Sequence, residues 1–243
     1  MIPKRIYYVW FGRKPLTEKI KQNIRTWKKY NPDFEIIQIN EDNFDINKYS
    51  FVKEAYDCQK WAFASDVARL DTIYNHGGFY FDVDVEMVKS LTPLLKEKSI
   101  WALESPGYVN SGLVVGAQKN DQNIKNILDI YATKKFVWQG KEENDPSTVP
   151  LISKYFRSKG LNTKNKTQVL PDGTKIFASD YFAPYHWWGG GHLTQNTIAI
   201  QQYANSWGAD LHLTLLRRIR YSFRFHCYRA YKMVAPIAKR ILS

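Results

Sequence analysis

The chain has 243 residues, with 35 Lys and Arg against 23 Asp and Glu, a formal net charge of +12. Its 44% hydrophobic and 24% charged content describes a folded globular protein and excludes a disordered one. No apolar run approaches the roughly 20 residues that cross a bilayer, and Cys58 and Cys227 lie far apart in no metal or redox motif.

In chain order, residues 4 to 11 (KRIYYVWF) read as a first strand, ended by Gly12. Leu16, Ile20, Ile24 and Trp27 follow at spacings of four and three, which predicts an amphipathic helix over 16 to 30. Asn31-Pro32-Asp33 breaks it, and FEIIQI (34 to 39) supplies a second strand. Strand, helix, strand argues for a parallel βαβ start. Residues 60 to 76 form a second helix closed by Gly77-Gly78, since glycine accepts the left-handed geometry of a helix end. FYFDV then reads as a strand. Residues 91 to 97 suggest a short helix, IWALE and GLVVGA strands, and 121 to 134 a helix. Beyond residue 145 the periodicity loosens, and WWGGGH (187 to 192) reads as a loop.

The chemistry concentrates in GGFYFDVDVE, residues 77 to 86. In a continuous strand Asp82, Asp84 and Glu86 would share one face, with Val83 and Val85 on the other. Such close like charges call for a counter-charge. An Asp-x-Asp pair at the carboxyl end of a strand suits a hard divalent cation, Mg2+ or Mn2+, which takes phosphate oxygens as further ligands. The plainer alternative is a solvated turn with surface acids. Asp66 and Arg69 lie one helical turn apart just upstream, where an exposed ion pair is the plainer reading. No glycine-rich phosphate loop, zinc-like histidine spacing or nucleophile elbow competes with this site.

IPKRIYYVWFG and AFASDVARLDTIYNHGGFYFDVDVE together resemble the glycosyltransferases with a DXD sugar-binding region. That family includes capsule and lipopolysaccharide transferases and fungal mannosyltransferases, and is related to the large clostridial glucosylating toxins. The resemblance spans roughly residues 1 to 135 and returns at 197 to 207. It implies an α/β, GT-A-type nucleotide-sugar-binding fold: a Rossmann-like mixed, mostly parallel sheet flanked by helices, over residues 1 to 210. It also implies a nucleotide-sugar donor, Mn2+ or Mg2+ as cofactor, and retention of anomeric configuration. By position, Trp10 would stack on the nucleobase and Asp82 would contact the ribose or the metal. Asp84 would ligate the metal, and Asp66 would hold donor-sugar hydroxyls. Arg69 would reach the sugar or a phosphate, and Asn110 would line the sugar pocket. In the family's late segment TIAIQQYANSW retains Ser206 and Trp207 at the donor, but Gln201 and Gln202 stand where histidines are usual. Gln201 as a metal ligand is therefore an open expectation. UDP-galactose or UDP-glucose is the leading donor, and a lipid-linked oligosaccharide the leading acceptor. A toxin-like transferase acting on protein and a nucleotide-sugar-binding subunit without turnover are the alternatives.

The charge is uneven. After Asp210 there is no acid, while Arg217, Arg218, Arg220, Arg224, Arg229, Lys232, Lys239 and Arg240 follow. Leu211, Leu215, Ile219 and Phe223 recur every fourth residue beside them. Residues 211 to 243 are thus expected to form a basic amphipathic helical tail that meets an anionic membrane surface; nothing suggests a nucleic-acid readout motif. The cysteine usage and a first strand that leaves no room for a signal peptide place the expected enzyme in the cytoplasm, on the inner face of the bacterial plasma membrane.

Overall fold

A computed structural model of the chain describes residues 1–136, 148–204 and 214–227. Strand β1 (Arg5–Val9) lies between β2 (Glu35–Ile39) and β3 (Gly78–Tyr80), parallel to both. The sheet continues β3–β7–β5–β9–β8, through β7 (Val115–Ala117), β5 (Ser99–Ser105), β9 (Thr174–Phe177) and β8 (Gln168–Val169). Short β6 (Tyr108–Val109) folds back on β5. Following the pairings from β1, strands β2, β3, β5 and β9 share its direction and β6, β7 and β8 oppose it. The sheet is mixed and mostly parallel, as expected. A separate pair, β4 (Val85–Met87) with β10 (Ala199–Gln201), runs antiparallel beside it.

Alternation along the strands sorts the core into two layers. Tyr7, Val9 and Tyr80 face Phe63, Val67 and Leu70 of α3 (Trp61–His76), in one layer with α2 (Ser50–Asp57), α4 (Gln122–Ala132) and α5 (Thr148–Ser158). Ile6, Tyr8, Phe79 and Phe81 face Trp27 of α1 (Glu18–Tyr30). Trp27 is fully buried. Burying an aromatic removes roughly 150–250 Å2 from water, about 4–6 kcal/mol at about 25 cal/mol per Å2.

The helix ends follow local chemistry. Thr17 caps α1 by accepting from the Ile20 amide at 3.3 Å, and Asp121 caps α4 through the Asn123 and Ile124 amides. Gly77 ends α3 at φ 65°, its N–H bonded to the Ile73 carbonyl, as the glycine pair indicates.

Three expectations change. FYFDV is not one strand: β3 stops at Tyr80, Asp82 to Asp84 form a turn closed by Val85 N–H to Asp82 O at 3.1 Å, and β4 begins at Val85. Residues 91 to 97 contain only a 3-10 turn, Thr92–Leu94. The loosened region holds α5, whose Ile152 and Phe156 lie one turn apart and are fully buried. The tail forms helix α6 (Leu215–His226), while Leu211, Trp207 and everything after Cys227 fall outside the described residues. No described helix is long and apolar enough to cross a membrane.

Candidate active site

The site lies where β1 and β3 end. Residues Phe63 to Ile73 of α3 are buried without interruption, so its polar groups face protein, not water. Asp66 and Arg69 do pair, at 3.0 Å, but their side chains are only 7% and 4% exposed. The exposed ion pair of the plainer reading is thus corrected to a buried one. Arg69 reaches further: Nη2 lies 3.1 Å from Asp82 Oδ1 and Nη1 donates to Ser111 Oγ at 3.2 Å. Nη2 and Nε also donate to the Ser65 hydroxyl and carbonyl. Burial disfavours the guanidinium's charge, but Asp82 and Asp66 outweigh it and hold Arg69 charged more firmly than in water. The counter-charge that the acids call for is therefore partly built in. Arg69 thus links Asp66 on the helix to Asp82 on the turn.

Asp82 receives a second donor, the Tyr80 hydroxyl at 2.8 Å. Its amide bonds the Gly112 carbonyl at 2.9 Å. Gly112 admits no side chain, since a Cβ there would lie 2.1 Å from Asp82 Oδ2. Asn110 fixes the same bend by accepting from the Gly112 amide at 2.7 Å. Its amide nitrogen approaches Glu104 Oε2 at 3.5 Å.

Asp84 is held by a different segment of the chain. Gln201 Nε2 donates to its Oδ1 and the Ala204 amide to its Oδ2, both at 3.0 Å. Burial, then the charge of Asp82, pushes the Asp84 carboxyl up to about 6. Glu86 departs from the acid pair: in β4 it accepts from Gln202 Nε2 at 2.8 Å. The three-acid face read from an unbroken strand reduces to two acids. Helix α1 holds the turn from behind, with Asn23 donating to the Val83 carbonyl and Trp27 Nε1 to that of Val85.

The donor set fits a hard cation. Gln201 Oε1 is buried with no hydrogen-bond partner, and it belongs to the amide that holds Asp84. Together with Asp82 and Asp84 it makes an all-oxygen set, the chemistry Mg2+ and Mn2+ accept. No cluster of three His, Cys, Asp or Glu exists among the described residues, so the amide has to complete such a set.

Asp66, Arg69, Asp82, Asp84, Asn110 and Gln201 thus come together. Trp10 follows β1 at the sheet end where Asp82 follows β3; it is half-buried and donates to the Lys14 carbonyl at 2.6 Å. Trp207 lies outside the described residues. Three participants escape the sequence reading. Glu104 at the end of β5 looks like any strand acid. Tyr203, at φ 50°, has its hydroxyl pushed well up by burial and by Glu104 and Asp84. Trp61 places its ring 3.0 Å from where a Gly12 side chain would begin, two residues along the chain from Trp10; the tight Gly12 at φ 93° is the one available signal.

Residues 17–101 match the model of the glycosyltransferase sugar-binding region containing DXD motif, and the one Asp-x-Asp in that span is Asp82-Val83-Asp84. Over that span the chain is similar to the sugar-binding region of DXD glycosyltransferases. A toxin of Photorhabdus asymbiotica subsp. asymbiotica is 27% identical over 172 residues, covering 53% of this chain and 6% of the toxin. The chain therefore spans a small part of that curated relative. The PaToxG glycosyltransferase structure aligns with TM-score 0.50 and 21% identity, over 65% of this chain and 69% of that one. The galactosyltransferase LgtC aligns with TM-score 0.39 and 14% identity, over 73% and 74%. The fold of the chain is GT-A.

Proposed function

We propose that the chain transfers a hexose, galactose or glucose, from a UDP-sugar to a glycan hydroxyl with retention of configuration. The observation that carries this reading is the pairing of two neighbouring carboxylates, Asp82 braced by Arg69 and Asp84 braced by Gln201, within a DXD sugar-binding region.

Asp82, Asp84 and Gln201 would hold Mn2+ or Mg2+, which supplies Lewis-acid stabilisation of the diphosphate leaving group. The chain's own groups do the remaining work. Arg69 and Tyr80 fix Asp82, so its outward oxygen is presented without rotamer freedom. Asn110 and Glu104 offer an amide and a carboxylate to sugar hydroxyls at the mouth of β5. Trp10 offers a plane for the uracil. In the transfer the bond between the anomeric carbon and the diphosphate oxygen breaks, that oxygen leaving with UDP, and a bond from the carbon to the acceptor oxygen forms. The acceptor's proton passes to the departing diphosphate, because no residue stands out as a covalent nucleophile.

A lipid-linked oligosaccharide is the acceptor this reading favours, supported by the basic tail. A protein hydroxyl is the second reading, supported by the match to the Photorhabdus toxin. UDP release from UDP-glucose and UDP-galactose, with either cation, tests the activity; retained UDP binding without release from any donor would leave only a binding subunit. Polyprenyl-linked sugars set against peptides as co-substrates separate the two acceptor classes.

A further inference from the structure

Helix α6 carries two apolar faces. Tyr221 and Phe225 turn inward: Tyr221 packs on Trp187 with centroids 4.4 Å apart and Phe225 on His186 at 4.2 Å, and both rings reach Trp188. Leu215, Ile219 and Phe223 remain 72%, 55% and 43% exposed. At about 100° per residue these three span a strip of roughly 80° lying opposite the docked pair. Arg220 and Arg218, both exposed, stand roughly 60° beyond its two borders. Docking on the body therefore leaves an apolar strip with a basic residue on each side.

We infer that this outward strip of α6 seats on an anionic lipid bilayer, with Leu215, Ile219 and Phe223 in the acyl boundary and Arg218 and Arg220 at the headgroups. Charge complementarity selects this occupant. The sequence has eight Lys and Arg and no acid after Asp210. A second copy on the same strip would set arginine against arginine. Twelve residues make a helix of about 18 Å, shorter than the roughly 30 Å hydrocarbon core, so it lies in the interface and does not span it. Because the inner face of the helix is held by Trp187 and Trp188, the membrane would also fix the orientation of the catalytic body. The inference stands apart from the donor reading, since bilayer binding needs neither sugar nor cation.

The full chain is sedimented with vesicles of phosphatidylcholine alone and of phosphatidylcholine with 30 mol%, roughly, of phosphatidylglycerol, a fraction chosen to give a clearly negative surface. Binding is expected with the anionic vesicles, weakened at least tenfold in high salt. Ile219→Glu with Phe223→Glu should abolish it while the thermal midpoint stays within about two degrees. If that pair unfolds the chain, Arg218→Gln with Arg220→Gln carries the test and should weaken binding severalfold. Unchanged sedimentation of a folded variant overturns the inference. So does equal binding to both vesicle types. A wild-type dimer dissolved by the Glu pair would reassign the strip to self-association and likewise overturn it.

Discussion

Gly112 and Asp84 show how single residues govern this site. Asp82 occupies the volume in which a Gly112 side chain would begin. Gly112→Ala must push that carboxylate off Arg69 or move the bend, an overpacking effect of about 1–3 kcal/mol. Urea titration should show that loss together with weaker donor binding; a variant with unchanged donor affinity would detach Asp82 from the donor. Asp84 titrates differently. Its carboxyl is raised to about 6 in the folded chain, so the folded state takes up a proton more readily than the unfolded state. Without cation, stability should therefore rise as pH falls through about 6 and be lost as pH rises through it. Asp84→Asn should flatten that slope and abolish transfer with the fold intact; wild-type melting curves in EDTA with no slope relative to the variant count against the buried acid. Asp82 and Asp84 were legible from side-chain type and spacing, whereas Asn110 and the role of Asp66 came only through the family resemblance. Glu104 and Tyr203 were not legible, because their proximity is created by chain segments about a hundred residues apart.

At the scale of elements, α3 is the part most easily misread. Its length and glycine stop are plain in the sequence, but its burial on every side is not, since that depends on what α2, α4 and the sheet lay against it. The consequence falls on Arg69. An exposed pair could lose its arginine with little effect on stability. Here Arg69→Ala leaves the buried Asp66 without its cation and takes the same guanidinium from Asp82, whose side chain is 32% exposed, a loss of about 3–5 kcal/mol. Calorimetry should show a fall of many degrees; a midpoint near wild type would mean that Asp66 and Asp82 need no cation. The break between β3 and β4 was hidden for a related reason. FYFDVDVE has the alternation of one strand, but α1 contributes Asn23 and Trp27 to catch the Val83 and Val85 carbonyls and bends the chain away from the sheet. Helix α5 was missed because Ile152 and Phe156 form a short stripe in a polar stretch.

Over the whole molecule, the parallel core decides where chemistry can happen. Strands β1 and β3 point the same way, so Trp10 and Asp82 emerge at one rim. Trp10→Ala should weaken UDP by about 1–3 kcal/mol, the range for a base stacked on an aromatic ring, and isothermal titration reads it directly. Undiminished UDP affinity would leave Trp10 as packing, a role its contact with the core also permits. The parallel pairing of β1 with β2 was legible from the opening βαβ pattern, whereas the place of β3 on the other side of β1 and the antiparallel insertion of β7 between β3 and β5 depend on long-range pairing that no local pattern announces.

The pairing of β4 with β10 also sets an order in time. Gln201 meets Asp84 across 117 positions of chain, while β1, β2 and β3 find one another within the first 80 residues. Long loops close late. During refolding the central strands should gain amide protection first, and the carboxylate rim should acquire its glutamine only afterward. Pulse-labelled hydrogen exchange would then catch a transient species with a protected β1 amide and an unprotected Gln202 amide, the one that donates to the Asp84 carbonyl. Simultaneous protection of both would mean that the rim and the sheet fold as one cooperative unit.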